Sequence, residues 1–318
     1  MWLEVTLIIV CFAVVLWGAD RFTDGACGLA RRLNVSELVI GLTVVSLGTS
    51  LPEFTVSFMS VLRGSGDMSV GNVMGSNIFN ILVITGASAF MRNIQVEASL
   101  LYRDIPICLM ASVLLCVFAS SSGLIDRWEG ILLVAYFCGY LFMAYRVALM
   151  DRKAQAVAGS PSASRDSSEE MPMLRIIALI LVGIIALVAG GHVLVDNAAA
   201  VAREWGISES VIGMTILAGG TSLPELATSV MAARKGSYGL ALGNVIGSNV
   251  FNITFVIGIC SSIVPMVVTE ITSVDWYMLI GSCVLVWLVG WTSRKFCKWE
   301  GFLLVLCYLT YLTWLLVR

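Results

Sequence analysis

The sequence predicts an all-α integral membrane protein of ten transmembrane helices, built as two inverted five-helix repeats. Three observations predict it. The 318 residues are 58% hydrophobic and only 13% charged, with a mean hydropathy of +0.93, which is too apolar for an ordinary soluble surface. Hydrophobic runs of roughly 17 to 25 residues recur along the chain, each long enough to cross a hydrocarbon core of about 30 Å. The hexapeptide GTSLPE occurs at Gly48 and again at Gly220, an offset of 172 (220 − 48), both times inside such a run.

In chain order the predicted spans are Trp2–Cys27, Leu38–Leu62, Ser69–Phe90, Ile105–Ala119, Gly130–Leu149, Leu174–Ala200, Val211–Ala233, Leu240–Val264, Trp276–Trp291 and Phe302–Val317. The first is kept as a span and not a signal peptide, because Met1-Trp2-Leu3-Glu4 carries no basic segment and Asp20, Arg21 and Asp24 follow it. Basic residues set the orientation of a membrane chain. With the N-terminus outside, most of them fall inside, among them Arg31, Arg32, Arg152, Lys153, Arg234 and Lys235, leaving Arg63, Arg127, Arg203 and Arg318 outside. Both termini are therefore expected outside, in a multi-pass protein of an inner or plasma membrane.

The repeat extends beyond the hexapeptide. At the same offset "SELVIGLTVVSLGTSLPEFTVSFM" from Ser36 aligns with "SESVIGMTILAGGTSLPELATSVM" from Ser208, and "GNVMGSNIFN" from Gly71 with "GNVIGSNVFN" from Gly243. One residue out of step, "WEGILLV" from Trp128 matches "WEGFLLV" from Trp299. Five spans are duplicated, and an odd number per copy makes the second copy run inverted. The expected organisation is a first repeat over 1–147, a polar cytoplasmic linker over 148–172 and a second repeat over 173–318.

Pro52 lacks an amide proton and its ring clashes with the Gly48 carbonyl, so the helix should open around Gly48-Thr49-Ser50; Pro224 does the same at Gly220. Open backbone at membrane depth is tolerated where it lines a cavity, and there its carbonyls become ligands. Glu53 stands four residues after Thr49 and three after Ser50, predicting one helix face with a carboxylate and two hydroxyls; Glu225, Thr221 and Ser222 repeat it. Asn72, Ser76 and Asn80 form a stripe at i, i+4 and i+8, mirrored by Asn244, Ser248 and Asn252. A Pro kink or a small-residue packing face would account for any one of these features. The whole set, duplicated with an intramembrane Glu in each copy, points to a site.

Carboxylates, hydroxyls, amide oxygens and carbonyls without sulfur or imidazole match hard cations, and flexible six- to eight-fold oxygen coordination favours Ca²⁺ over Mg²⁺. One Ca²⁺ or two Na⁺ would balance the two glutamates. The nine cysteines lack CxxC spacing and read as buried free thiols. His192, the only histidine, aligns with Asp20 and is expected to have a packed or helix-facing role rather than a catalytic one.

Those paired motifs resemble the two α-repeats of the cation/Ca²⁺ antiporter superfamily, most of all the prokaryotic sodium/calcium exchangers, over nearly the whole chain. The resemblance implies a midplane site in which Glu53 and Glu225 hold Ca²⁺ with the carbonyls of Thr49 and Thr221. It implies Na⁺ sites that add Ser46, Thr49 and Ser76 on one side and Ala218, Thr221 and Ser248 on the other, with Ser50, Ser222, Asn80 and Asn252 completing a polar belt. It further implies exchange of Na⁺ for Ca²⁺, usually three for one and so electrogenic, with the first and sixth helices sliding as a gate. Asn252 departs from relatives that carry Asp there, which argues against K⁺ cotransport. A Ca²⁺/H⁺ antiporter would use the same glutamates; an intramembrane enzyme with a Glu acid/base pair, or a channel, are the rivals of other classes. No cofactor is expected, and the expected partners are Ca²⁺, Na⁺ and the lipid bilayer, not nucleic acid.

Overall fold

A computed structural model describes residues 2–157, 171–206 and 218–317. It is helical apart from four two-residue strands. The helices are α1 (Trp2–Leu33), α2 (Glu37–Thr49), α3 (Leu51–Leu62), α4 (Gly66–Met91), α5 (Leu100–Ser121), α6 (Arg127–Val157), α7 (Met173–Glu204), α8 (Ala218–Thr221), α9 (Leu223–Lys235), α10 (Tyr238–Ile263), α11 (Ser273–Ser293) and α12 (Lys298–Val317). Among the described residues eight of them are long and apolar enough to cross a membrane, and α2 with α3, bent by 48° at their break, pass the same length and composition test when taken together. Residues 211–217 of the predicted seventh span, and 158–170 of the predicted linker, lie outside the described residues.

The helix boundaries follow local chemistry. In α1, Glu4 occupies the first turn and Arg31 and Arg32 the last, each charge complementing the helix dipole. Asn34 then ends it at φ +52°. At 32 residues α1 is about 48 Å long, more than a perpendicular crossing needs. The equally long α7 packs along it. Their backbones meet closely: a Cβ on Gly183 would lie 2.7 Å from the Phe22 backbone nitrogen, the small-residue contact by which membrane helices gain packing energy.

Helices α4 and α10 form the core. The central stretch of α10 is 94% buried and that of α4 72%, against 11% for α12. Helix α10 lies so close on α2 that a Cβ on Gly243 would stand 2.7 Å from the Leu38 carbonyl. Both core helices widen to π-helical turns just after their GSN motifs, over Asn80–Ile84 and Phe251–Ile257.

The strands were not legible in the apolar pattern. Strand β1 (Ile94–Gln95) pairs antiparallel with β4 (Lys295–Phe296), and β2 (Leu124–Ile125) with β3 (Met266–Val267). Each latch joins a loop of one half to a loop of the other, where connecting backbone needs partners. Helix α6 runs to Val157, past the predicted boundary at 147. Its Asp151 accepts the Ser36 backbone N–H at 3.4 Å, at the start of α2.

His192 is not packed: its side chain is exposed and lies along its own helix, paired with Asp196 at 2.9 Å, one turn along α7. A carboxylate at i+4 satisfies the imidazole without a packed neighbour. Of the thiols, Cys11, Cys27, Cys108, Cys260 and Cys283 are buried as expected, whereas Cys138 and Cys307 are exposed.

Candidate cation site

The site is built where the two helix breaks meet the two core helices. Helix α2 stops at Ser50 (φ −86°, ψ 12°) and α3 restarts with Pro52 in its first turn. The second copy stops at Ser222 (φ −87°, ψ 8°) and restarts with Pro224. Because neither proline donates, the Gly48 and Gly220 carbonyls lose their i+4 partners. Glu53 and Glu225 sit in the first turns of α3 and α9, where the helix dipole favours negative charge. Both are 0% exposed, and among the described residues neither takes part in an ion pair.

The hydroxyls cross between copies. Ser50 Oγ donates to Glu225 Oε1 at 2.7 Å, and Ser222 Oγ to Glu53 Oε1 at 3.1 Å. Spacing along one helix had put Ser50 with its own Glu53; the break turns it instead toward the opposite copy. Each carboxylate keeps a second oxygen, Oε2, buried and without a hydrogen-bond partner.

The core helices close the site reciprocally. Asn72 Nδ2 donates to Ser57 Oγ (3.0 Å) and the Glu53 carbonyl (3.4 Å). Asn244 Nδ2 donates to Ser229 Oγ (2.9 Å) and the Glu225 carbonyl (3.4 Å). These bonds anchor α3 to α4 and α9 to α10 just where the glutamates project. Ser76 Oγ, Ser248 Oγ, Asn80 Oδ1 and Asn252 Oδ1 are buried and unpartnered. With the two Oε2 atoms they make six buried oxygens lacking a partner, in three pairs related by the offset of 172. Buried polar atoms are almost always satisfied, and although hydroxyls such as those of Thr23, Ser69, Ser88 and Thr228 are also unpartnered, two carboxylate oxygens left so in the interior stand out.

The remaining predicted residues flank this set. Thr49 Oγ1 lies 3.1 Å from both the Val45 carbonyl and Asn244 Oδ1. Ser46 is buried and donates to the Thr43 carbonyl at 3.1 Å. Thr221 ends α8, and Ala218 is that helix's first residue. The donor set is two carboxylates and neutral oxygens; among the described residues no group of three or more His, Cys, Asp and Glu converges to hold a metal. Such oxygens suit hard cations, not transition metals.

Sequence reasoning missed Asn77 and Asn249, which are fully buried and bond each other's backbone carbonyls across the α4–α10 contact at 3.1 and 3.0 Å. Their signal was the third residue of the duplicated GSN, adjacent to the serine that was selected.

A family profile described as sodium/calcium exchanger protein matches residues 3–146 and 175–317. The chain is 35% identical over 311 residues to the putative antiporter CaxA of Alkalimonas amylolytica, covering 96% of each. It is 31% identical over 332 residues to the sodium/calcium exchanger MaX1 of Methanosarcina acetivorans, covering 93% of each. A solved structure of the sodium-calcium exchanger NCX_Mj, soaked with Na⁺ and Ca²⁺, superposes with a TM-score of 0.82 at 30% identity, covering 98% of each chain. With the profile spanning both halves and these relatives matched almost end to end, the chain belongs to the sodium/calcium exchanger family of membrane proteins.

Proposed function

We propose that the protein is a secondary antiporter that exchanges Na⁺ for Ca²⁺ across the membrane by alternating access. The observation that carries this reading is the pair of buried carboxylates, Glu53 and Glu225, each bonded by the other copy's serine and each left with an unpartnered Oε2. A cation is what satisfies lone pairs that no donor reaches, and two uncompensated carboxylates at membrane depth cost several kcal/mol unless neutralised. Glu53, Glu225, Ser76, Ser248, Asn80 and Asn252 supply side-chain ligands; Thr49 and Thr221 add carbonyls, and Ser46, Ala218, Ser50 and Ser222 complete the flanking Na⁺ positions.

Ten spans in two inverted repeats, 1–147 and 173–318 joined through 148–172, put both breaks at one depth and both termini outside. One Ca²⁺ balances the two glutamates, so exchange for three Na⁺ moves net charge. Each elementary charge couples to voltage by about 2.3 kcal/mol per 100 mV. The likeness to MaX1 and NCX_Mj, both sodium/calcium exchangers, supports sodium coupling.

The test is ⁴⁵Ca²⁺ uptake into proteoliposomes loaded with Na⁺, compared with a pH gradient and with no gradient. Uptake driven by outward Na⁺ alone is the expected result. Uptake driven only by pH would replace Na⁺ with H⁺ as the coupling ion, and flux independent of any counter-ion would indicate a channel.

A further inference from the structure

Asn77 and Asn249 close a hydrogen-bonded ring where α4 crosses α10, with Asn80 and Asn252 each attached to it by one bond, and its logic fixes which end of each site amide faces the cation. A backbone carbonyl can only accept. The atom of Asn249 that meets the Asn77 carbonyl at 3.0 Å is therefore Nδ2, which leaves Oδ1 of Asn249 to accept from Asn80. Asn80 must then present its own Nδ2, at 3.0 Å. Its Oδ1 is turned away from Asn249 and stays buried without a partner. The mirror half repeats each step: Asn77 Nδ2 donates to the Asn249 carbonyl at 3.1 Å, and Asn252 Nδ2 to Asn77 Oδ1 at 3.1 Å, leaving Asn252 Oδ1 unpartnered.

We infer that Asn77 and Asn249 are positioning residues: they lock the amides of Asn80 and Asn252 so that both give oxygen, never NH₂, to the bound cation. The inference rests on the cation reading above. An amide free to rotate by half a turn would offer a positive edge to Ca²⁺ in one of its two orientations. The ring removes that orientation using acceptors that cannot rotate, because they belong to the backbone of the packed core helices. Each copy's lock acts on its own helix partner across the interface: Asn249 of α10 orients Asn80 of α4, and Asn77 of α4 orients Asn252 of α10. Both halves of the site are thus oriented by one interface.

A carboxylate has oxygens at both ends and needs no such lock, which gives a test that separates orientation from simple structural support. Ca²⁺ affinity is measured by calorimetry on the purified full-length chain and on Asn249→Ala, Asn80→Asp and the double variant, with thermal unfolding run on each. Asn249→Ala is expected to weaken Ca²⁺ binding about 10-fold, the lower end for loss of a partner that orients a metal ligand. In the Asn80→Asp background the same substitution is expected to change affinity less than twofold or to raise it. An equal loss in both backgrounds would overturn the positioning role while leaving the cation site standing. Absence of Ca²⁺ binding by the unaltered chain would overturn the site and this inference together. If Asn249→Ala does not fold, Asn77→Ala with and without Asn252→Asp reads the mirror half; failure of both alanine variants to fold would show a structural requirement and contradict a role confined to orientation.

Discussion

The centre of the molecule obeys the offset of 172 and its periphery breaks it. Ser50–Glu225 mirrors Ser222–Glu53, and Asn72–Ser57 mirrors Asn244–Ser229. At the far ends of α3 and α9 the two copies part. Lys235, at the end of α9, reaches Asp20 at 2.7 Å and Asp24 at 2.6 Å on α1. Its repeat mate Arg63 has no side-chain hydrogen bond or ion pair among the described residues, and lines a crevice of about 230 Å³ with Thr55, Met59, Ser60 and Met68. The mates of Asp20 and Asp24 are His192 and Asp196, which bond each other instead. The difference also shows in burial. Leu51 and Met59 on α3 are 46% and 44% exposed, while their mates Leu223 and Met231 are half-buried.

The comparison teaches that the two jobs of the repeat are separated in space. On the proposed function most residues that hold the ion stay equivalent, because one site is made from both copies; Ser46 and Ala218 are the exception among the proposed ligands. Residues that open or seal the approach must differ at any instant, since a site open on both flanks would leak. On the proposed exchange, α1 is tied to α9 through Lys235 while Arg63 makes no equivalent tie for α3 among the described residues, and swapping the roles of the copies gives the opposite state.

Six substitutions in three pairs test this difference between centre and periphery. The largest effect is expected from Glu53→Gln and Glu225→Gln. Each should lower Na⁺-driven ⁴⁵Ca²⁺ uptake more than about 100-fold, because each leaves one carboxylate to face a divalent ion. A severe loss from one and a mild loss from the other would contradict a site shared equally. Next come Ser50→Ala and Ser222→Ala. A hydrogen bond to a charged group contributes about 1.5–3 kcal/mol, so Ca²⁺ affinity measured by calorimetry should shift roughly 10-fold or more, in both variants alike.

The smallest effects test the periphery, where asymmetry is expected. Lys235→Gln removes partly exposed ion pairs of the kind that contribute about 0.2–1 kcal/mol. Thiol labelling at Ala227→Cys, in a background lacking the exposed Cys138 and Cys307, should rise about two- to fivefold when Lys235 is changed. Arg63→Gln should leave labelling at Thr55→Cys unchanged, because the Arg63 side chain holds no hydrogen bond or ion pair among the described residues for the change to release. Equal responses on the two flanks would show the periphery to be as symmetric as the centre.

Much of this was legible in the sequence because helix breaking and hydrophobic length are local properties. Pro52 and Pro224 broke the spans where expected, and the breaks carry Glu53 and Glu225 into the core. Non-local properties were hidden. Ser50 and Glu225 are 175 residues apart, and nothing in either copy says that its serine serves the other copy's glutamate. Asn77 looked like one more polar residue beside Ser76, since its role depends on a carbonyl of α10. The end of α6 was misread because Asp151, Arg152 and Lys153 look like linker by polarity, yet no Gly or Pro stops the helix before Gly159. The exposure of His192 was not legible because its partner Asp196 lies on its own helix, so it needed no packed neighbour.

The most direct test of the account is a calorimetric titration of the purified chain with Ca²⁺, with and without Na⁺, alongside Glu53→Gln and Glu225→Gln. The expected result is one Ca²⁺ per chain, displaced by Na⁺ and lost in either variant. Two Ca²⁺ per chain, each surviving loss of the other copy's glutamate, or binding indifferent to Na⁺, would contradict a single exchange site built from both repeats.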